Sequence, residues 1–351
     1  MENNIENIGT IKKPRIEYID AMRGFAMLLV IYGHISLFIF KLESICFDVI
    51  TSFHMPLFFF ICGLMSYTDY HNQNFSQKIR HRITGQLIPT IVVCMLYVAT
   101  YSLSVSETIF DNFKSGYWFV FVLIECTILY YLMVFLFKTF NSKDNQQFIL
   151  LSCLIVVTYI ARSILFRYSI IDTDFSKLVS LDLLLGNFPY FLMGIIIKMK
   201  FQSILNIFSN RYFITLVIVS YIFLFKFRQY GVTLFIQGFL GTIITFCVFK
   251  YYKEYFSRET IIGRFLNYIG KHTLEIYLIH YFFIKELSKI TEFHNLGIIQ
   301  ESWLIEFFSF IFLACIIACL CLLIVKFVKI SPILQALFFG FKTNTQKSFK
   351  S

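Results

Sequence analysis

The sequence is poor in charge and in the residues that form linkers. Charged residues make up 15% of its 351 residues, and it has 5 Pro and 15 Gly. No Pro-, Gly- or Ser-rich stretch divides the chain, and there is no low-complexity tract and no repeat of fixed period. These absences argue against a disordered protein, a solenoid and a string of soluble domains. We therefore expect one domain.

The nine cysteines lack any pattern typical of disulfides or metal sites. Their number is odd, most lie within apolar runs, and none shows CxxC spacing. We expect neither a disulfide framework nor a bound metal. The first 15 residues are polar, and the apolar run after them has internal charges and no small-residue cleavage site, so we expect no segment to be removed.

Hydrophobic residues are abundant instead. They make up 58% of the chain and include 45 Phe and 21 Tyr, which is typical of a polytopic membrane protein. The net charge of +10 comes from short basic clusters between apolar runs, so we expect no nucleic-acid partner. A membrane-spanning helix needs about 20 predominantly apolar residues. About ten stretches qualify, near residues 18–40, 49–67, 86–104, 116–137, 147–166, 181–198, 211–225, 232–249, 269–287 and 303–325, of which the seventh and eighth are short.

The distribution of basic residues predicts how these helices are oriented. With both termini in the cytoplasm, the cytoplasmic segments hold more than twice as many Lys and Arg as the outer segments, in agreement with the positive-inside rule. We predict an all-α polytopic domain of the cytoplasmic (inner) membrane over residues 16–329, with cytoplasmic tails at residues 1–15 and 330–351. Every connection is short, so any chemistry is expected within the membrane.

The first predicted span contains three costly side chains, in the stretch "IDAMRGFAMLLVIYGH". An ionisable side chain near the bilayer centre costs about 2.5 to 3.5 kcal/mol, so such residues are functional candidates. Arg23 and His34 are eleven residues apart, which places them on one helix face and separates them by about 16 Å. Asp20 lies three residues before Arg23, where it can form an ion pair. The alternative interpretation makes Asp20 and Arg23 interfacial anchors and His34 a packing residue.

Other predicted spans also carry polar side chains. In "SFHMPLFFFICGL", His54 lies beside Pro56, which loosens the helix, although an interfacial histidine is the alternative interpretation. Glu125 is surrounded by apolar residues in the fourth span and must be protonated, paired or facing water. The ninth span contains "YIGKHTLEIYLIHYF", in which one helix face is shared by Thr273, Tyr277 and His280.

A basic segment, "QKIRHRITGQLIP", lies on the predicted cytoplasmic side and contains Lys78, Arg80 and Arg82. Such clusters are typical of topology signals and of contacts with anionic lipid. They suit the phosphates of an anionic cytosolic cofactor as well, because Arg presents a bidentate fork to phosphate. The sequence leaves both interpretations open.

Several of these segments match a known family. The stretch "YIDAMRGFAMLLVIYGH" resembles the first helix of the acyltransferase-3 family of integral membrane acyltransferases, with its aspartate, its Arg-Gly and a histidine after ten intervening residues. "FHMPLFFFICGL" is similar to the family's second helix, and "YWF", "FPYFLMG" and "IGKHTLEIYLIH" follow in the family's order. The resemblance runs from Ile16 to about Lys329 and is to the branch similar to fucose 4-O-acetylases.

The resemblance implies a membrane-embedded O-acyltransferase, and with no metal site expected from the sequence, its donor acetyl-CoA is the one cofactor expected. The expected reaction transfers an acetyl group from acetyl-CoA to a sugar hydroxyl of a cell-surface polysaccharide or a lipid-linked glycan precursor. On this interpretation His34 is the general base or a transient acyl carrier, assisted by His280 or Glu125. Arg23, held by Asp20, positions the thioester end or the pyrophosphate of the cofactor.

The remaining assignments follow from the same resemblance. The nucleotide phosphates are expected at Lys78, Arg80 and Arg82. The acceptor is expected at His54, Trp118 and Tyr277. The family's basic stretch usually ends in Arg-Leu-x-Pro, whereas this chain has Gln86 before Leu87-Ile88-Pro89, so its arginines are displaced toward the N-terminus.

Two other functions fit parts of the pattern. Intramembrane Asp, Arg, Glu and His residues also form proton relays and substrate paths, so a multi-pass transporter or exporter is the main alternative. A membrane glycan polymerase or ligase usually has a large outer loop, and the predicted outer connections are too short for one. Flux coupled to an ion gradient, without consumption of acyl-CoA, would distinguish the transporter from the acyltransferase.

Overall fold

The computed structural model describes residues 16–67, 75–200, 207–208, 210–228, 231–290 and 302–340. Regular structure within these ranges is entirely helical, without a β-strand. The predicted all-α class is thereby confirmed. The predicted N-terminal tail and residues 341–351 of the predicted C-terminal tail lie outside the described residues.

The helices follow one another along the chain with short connections. They are α1 (Glu17–His34), α2 (Ile45–Ser66), α3 (Phe75–Arg82), α4 (Ile88–Thr100), α5 (Val105–Ile109), α6 (Trp118–Thr139), α7 (Asp144–Arg167), α8 (Asp174–Leu178), α9 (Leu181–Met199), α10 (Arg211–Phe225), α11 (Gly231–Tyr251), α12 (Ile261–Lys271), α13 (Thr273–Leu287), α14 (Trp303–Val328) and α15 (Pro332–Phe339). Two π-helical segments, Ile35–Phe40 and Ile83–Leu87, extend α1 and join α3 to α4.

Eight helical segments of the described chain are long and apolar enough to cross a membrane. Each of the ten predicted spans overlaps a helix, so the multi-pass membrane class is confirmed. Two of the ten predicted spans are not among these eight helices. They correspond to α10 and α13, each of 15 residues. The eighth predicted span, expected to be short, is the 21-residue helix α11.

Two predicted boundaries are wrong, and both lie at polar residues. The third span begins at Ser76 rather than residue 86, because the basic segment continues the helix through α3 and the second π segment. The ninth span was expected to begin at residue 269, but the helix breaks at His272. The His272 imidazole lies 3.1 Å from the Glu275 carboxylate in the first turn of α13, so this polar pair marks the break.

Helix α1 is the central element of the fold. Of the most apolar stretch of α1 and its π extension, 72% is buried, against 11% for α7. Helices α2, α11, α12, α13 and α14 all pack against α1, whereas α7 packs mainly against α9. The polar residues of the first span are therefore inside the helix bundle, and α7 lies at its periphery.

Backbone-to-backbone contacts fix two helix pairs. A Cβ atom at Gly24 of α1 would lie 2.1 Å from the carbonyl oxygen of Leu266, and one at Gly270 of α12 would lie 1.8 Å from that of Asp20. Small residues permit such close helix packing in membranes. Because α12 is held against α1 in this way, the start of α13 lies beside Arg23.

The second pair joins α2 to α9. A Cβ atom at Gly63 would lie 1.9 Å from the carbonyl oxygen of Phe191, and one at Gly194 would lie 2.1 Å from that of Phe60. Both carbonyls belong to the backbone, so no movement of a single side chain can make room for a Cβ atom. The two helices must separate if either glycine gains a side chain.

We expect Gly63→Leu to destabilise the protein, because overpacking costs about 1 to 3 kcal/mol. The midpoint of thermal unfolding in detergent should fall by several degrees. Gly231→Leu is the matched control, since a Cβ atom at Gly231 meets no atom within 4 Å. Equal midpoints for the two variants would show that the α2–α9 contact does not limit stability.

Candidate active site

A cavity of about 660 Å³ lies among α1, α2, α4, α6 and α13. Most of its lining side chains are apolar. The polar groups along its wall include Arg23, His34, His54, Gln86, Thr273, Tyr277 and Tyr281. We call one end the Arg23 end, formed by Arg23, Cys62 and Thr273, and the other the His34 end, formed by His34, Phe38, Tyr281 and Lys285.

Arg23 and His34 line the same cavity, as their spacing on α1 predicted. Ten residues of helix separate them, which corresponds to about 16 Å along one face. Between them the wall of α1 is apolar, with Met27 and Val30 facing the cavity. The cavity thus holds a cation at one end and an imidazole at the other.

The Arg23 guanidinium is held by two neighbours. Its Nη2 donates a hydrogen bond of 2.9 Å to Oγ1 of Thr273, and its Nη1 lies 3.8 Å from Oδ1 of Asp20. The predicted i,i+3 pair is therefore present. About a quarter of the Arg23 side chain, 26%, is exposed, so the guanidinium is available to a ligand in the cavity.

Asp20 also has a second cationic neighbour. Arg258, in the segment between α11 and α12, places Nη2 3.7 Å from Oδ2 of Asp20 and Nε 3.6 Å from Glu17. The buried Asp20 carboxylate therefore lies between the cavity guanidinium and one outside the cavity.

The His34 ring contacts three neighbouring rings, those of Phe38, His280 and Tyr281. It stacks on Phe38 at a centroid distance of 5.6 Å and on His280 at 5.4 Å. Its Nε2 lies 3.0 Å from the hydroxyl oxygen of Tyr281. The π-helical segment begins directly after His34, and such segments often occur at functional sites. The imidazole is therefore fixed in orientation by three groups.

The other predicted residues divide into two groups. His54, Trp118 and Tyr277 line the cavity, where the sequence placed the acceptor. Glu125 and His280 are not among its lining residues in the described part of the chain. His280 is fully buried behind His34, and one carboxylate oxygen of Glu125 is buried without a hydrogen-bond partner among the described residues. The proposed roles of all five residues stay predictions.

The basic segment lies beside the cavity rather than in its wall. Arg82 Nη2 donates a hydrogen bond of 2.7 Å to Oγ of Ser66 at the end of α2, whereas Arg80 is exposed and Lys78 is half-buried. Gln86, in the second π segment, does line the cavity, and its Oε1 is buried without a hydrogen-bond partner among the described residues. The segment thus presents an amide to the cavity at Gln86.

Loop segments form part of the wall at the His34 end. Asp111 and Gly116 line the cavity, and the buried Lys114 between them donates hydrogen bonds to three carbonyl oxygens, including that of Lys177 at 2.7 Å. Burial lowers the pKa of the Lys114 ammonium, and the Asp111 and Glu125 carboxyl groups partly oppose this shift. Lys114 therefore ties the segment before α6 to the end of α8.

Sequence reasoning missed several side chains of this site, and Tyr281 and Gln86 are two of them. Tyr281 contacts His34 across 247 positions of sequence, and Gln86 was noted only as a departure from the family. A polar side chain one position after His280 was the available signal for Tyr281. Adjacent residues on a helix point about 100° apart. Tyr281 therefore lies off the helix face that His280 shares with Thr273 and Tyr277, and the search for residues on one face did not include it.

The fold and the cavity define a multi-pass membrane protein with ionisable groups in an intramembrane cavity. Comparison with protein families then gives a match to the Acyl_transf_3 acyltransferase domain over residues 16–323. The chain belongs to this acyltransferase family and is a membrane acyltransferase. Comparisons with curated proteins and with solved structures find no significant match.

Proposed function

We propose that this membrane acyltransferase transfers an acetyl group from acetyl-CoA to a sugar hydroxyl of a cell-surface polysaccharide or a lipid-linked glycan precursor. The observation that carries the proposal is that Arg23 and His34 lie at opposite ends of one cavity. A long thioester donor needs one site for its anionic part and another for its reactive part. The Arg23 end and the His34 end supply these two sites.

His34 acts as the general base in this proposal. Its imidazole takes the proton of the sugar hydroxyl as the oxygen attacks the thioester carbonyl. The new C–O bond forms, the C–S bond breaks, and the proton passes from His34 to the departing sulfur, which leaves as the CoA thiol. A positioned base of this kind contributes about 10² to 10⁴ in rate.

The Arg23 end faces the cytoplasm in this proposal, and the protein lies in the cytoplasmic membrane. Arg23 contacts the thioester arm or the pyrophosphate, and the exposed Arg80 with Arg82 attracts the nucleotide phosphates outside the cavity. At the His34 end, His54, Trp118 and Tyr277 contact the acceptor, since aromatic walls with a few hydroxyl and imidazole groups suit a sugar ring. Family membership favours this enzyme over the transporter that the same ionisable residues allowed.

The acceptor class can be tested in cells. The O-acetyl content of surface glycans, measured by NMR, should fall in a strain that lacks the protein. It should recover with the native chain and fail to recover with His34→Gln. Identical O-acetyl content with and without the protein would exclude surface glycans as the acceptor.

We expect the double substitution Arg80→Glu and Arg82→Glu to raise KM for acetyl-CoA at least tenfold. Each hydrogen bond to a charged group contributes about 1.5 to 3 kcal/mol, and the substitution also introduces repulsion. Acetyl transfer in membrane vesicles over a range of acetyl-CoA concentrations measures the effect. The control reverses two exposed charges on another connection, Lys138→Glu and Lys143→Glu. An unchanged KM in the first variant would assign Arg80 and Arg82 to topology or lipid contact.

A further inference from the structure

The three imidazoles around the His34 end are held in different ways. His54 Nδ1 lies 3.1 Å from the carbonyl oxygen of Ile50, and His280 Nδ1 lies 3.1 Å from that of Ile276. A carbonyl oxygen only accepts, so Nδ1 carries the hydrogen in both rings. Each of these tautomers is fixed by the residue's own helix.

His34 has no such bond within α1. Its Nε2 lies 3.0 Å from the Tyr281 hydroxyl, and no second hydrogen bond to the His34 side chain is found in the described part of the chain. The Nε2 side of the ring is therefore occupied by the Tyr281 hydroxyl, and only Nδ1 is left to take a proton from an acceptor. A tyrosine hydroxyl both donates and accepts, so the bond alone permits either tautomer, but a base needs the free lone pair on Nδ1 and hence the hydrogen on Nε2.

We infer that Tyr281 is a positioning residue, which accepts a hydrogen bond from His34 Nε2 and so keeps Nδ1 unprotonated as the base that faces the acceptor. This inference rests on the proposed role of His34. When Nδ1 takes the proton of the sugar hydroxyl, the ring becomes an imidazolium. The Nε2–H group then donates a charge-assisted hydrogen bond to Tyr281, and the proton leaves Nδ1 for the CoA sulfur as the C–S bond breaks.

The Tyr281 ring is itself held firmly. A Cβ atom at Gly116 would lie 2.4 Å from the ring carbon Cζ of Tyr281, so only a glycine leaves room for the hydroxyl-bearing edge. The φ angle of Gly116, +101°, is also one that other residues rarely adopt. The ring packs on Tyr117 at a centroid distance of 5.6 Å. With so little freedom, the hydroxyl stays within reach of His34.

His280 does not perform this positioning role. Its ring stacks on His34 at 5.4 Å, but its Nδ1 is engaged by backbone carbonyls. Its Nε2 is buried without a hydrogen-bond partner in the described residues, so it makes no bond to His34. Stacking limits the tilt of the His34 ring, whereas the Tyr281 hydroxyl is the group of the described chain that engages a ring nitrogen of His34.

The tautomer can be measured without activity. Protein with ¹⁵N-labelled histidine in lipid bilayers gives ring-nitrogen shifts by solid-state NMR, and the signals missing from His34→Gln identify His34. We expect Nδ1 to show the shift of an unprotonated nitrogen and Nε2 that of a protonated one. The reverse pattern in the native protein overturns the inference, whatever the variants do.

Kinetics then test the consequence. Tyr281→Phe keeps the ring and removes the hydroxyl, so we expect kcat to fall about 10- to 100-fold with little change in KM for donor and acceptor. Tyr117→Phe is the matched control, because its hydroxyl donates to the Leu278 carbonyl and does not reach His34. We expect its kcat to stay within about twofold. An unchanged kcat in Tyr281→Phe contradicts the inference.

The two measurements separate this inference from the proposed function. If His34→Gln transfers acetyl groups at the native rate, the proposed base is wrong, even when the NMR tautomer is as expected. If His34→Gln is inactive but the native His34 carries its hydrogen on Nδ1, the base stands and the role of Tyr281 fails.

Discussion

Replacement of His34 by glutamine is expected to lower kcat for acetyl transfer by about 10² to 10⁴, the usual contribution of a positioned general base. Glutamine can still form a hydrogen bond with Tyr281 but cannot take a proton at neutral pH. Because the cavity and the Arg23 end are unchanged, KM for acetyl-CoA should stay close to the native value. Initial rates with purified protein in liposomes measure both constants.

Two comparisons make the His34 result specific. His81→Gln removes an exposed imidazole outside the cavity and should leave the rate unchanged. Thermal unfolding of His34→Gln should resemble that of the native protein, since a polar side chain of similar reach is retained. A folded His34→Gln protein with native kcat would falsify the assignment of His34 as base.

Replacement of Arg23 by glutamine is expected to raise KM for acetyl-CoA about tenfold or more, with a smaller effect on kcat. The guanidinium is oriented by Thr273 and Asp20 and partly exposed to the cavity, so its loss removes a preformed cation that no other lining side chain of the Arg23 end replaces. Hydrogen bonds to charged groups contribute about 1.5 to 3 kcal/mol, which corresponds to this change in KM. Protection of the protein by CoA against thermal unfolding should weaken in parallel.

Arg258→Gln is the matched control for Arg23. Both guanidinium groups lie within 4 Å of the Asp20 carboxylate, at 3.8 and 3.7 Å, but only Arg23 lines the cavity. We expect Arg258→Gln to leave KM unchanged and to reduce stability slightly. Equal increases in KM for the two variants would mean that the charge balance at Asp20, rather than the cavity guanidinium, controls donor binding.

Most of the fold was predictable because apolar length is a strong signal for membrane helices. Every predicted span overlaps a helix, since a run of apolar residues has few stable alternatives in lipid. The errors occur where polar residues stay helical, as between Ser76 and Gln86, or where a single polar pair breaks a helix, as at His272. Such decisions depend on tertiary neighbours, which composition does not reveal.

The relative placement of two site residues was predictable along α1. Helical periodicity placed Arg23 and His34 on one face, and this face lines the cavity. Contacts between helices do not follow from the periodicity of one helix. The angle at which α13 faces α1 decides whether residue 280 or residue 281 contacts His34. The close α1–α12 contact at Gly24 and Gly270 places α13, and no local pattern near Tyr281 indicates that placement.

The largely apolar wall of the cavity affects whether water can compete with the acceptor for the acyl group. In the proposed reaction, an activated thioester beside the His34 base would be hydrolysed if water filled the space around it, and each such event would waste one donor molecule. Met27, Val30 and Phe58 offer water no hydrogen bonds, so ordered water is disfavoured along this stretch. In the proposed reaction, the same side chains that let the chain fold in lipid thereby favour transfer to the acceptor hydroxyl over futile hydrolysis.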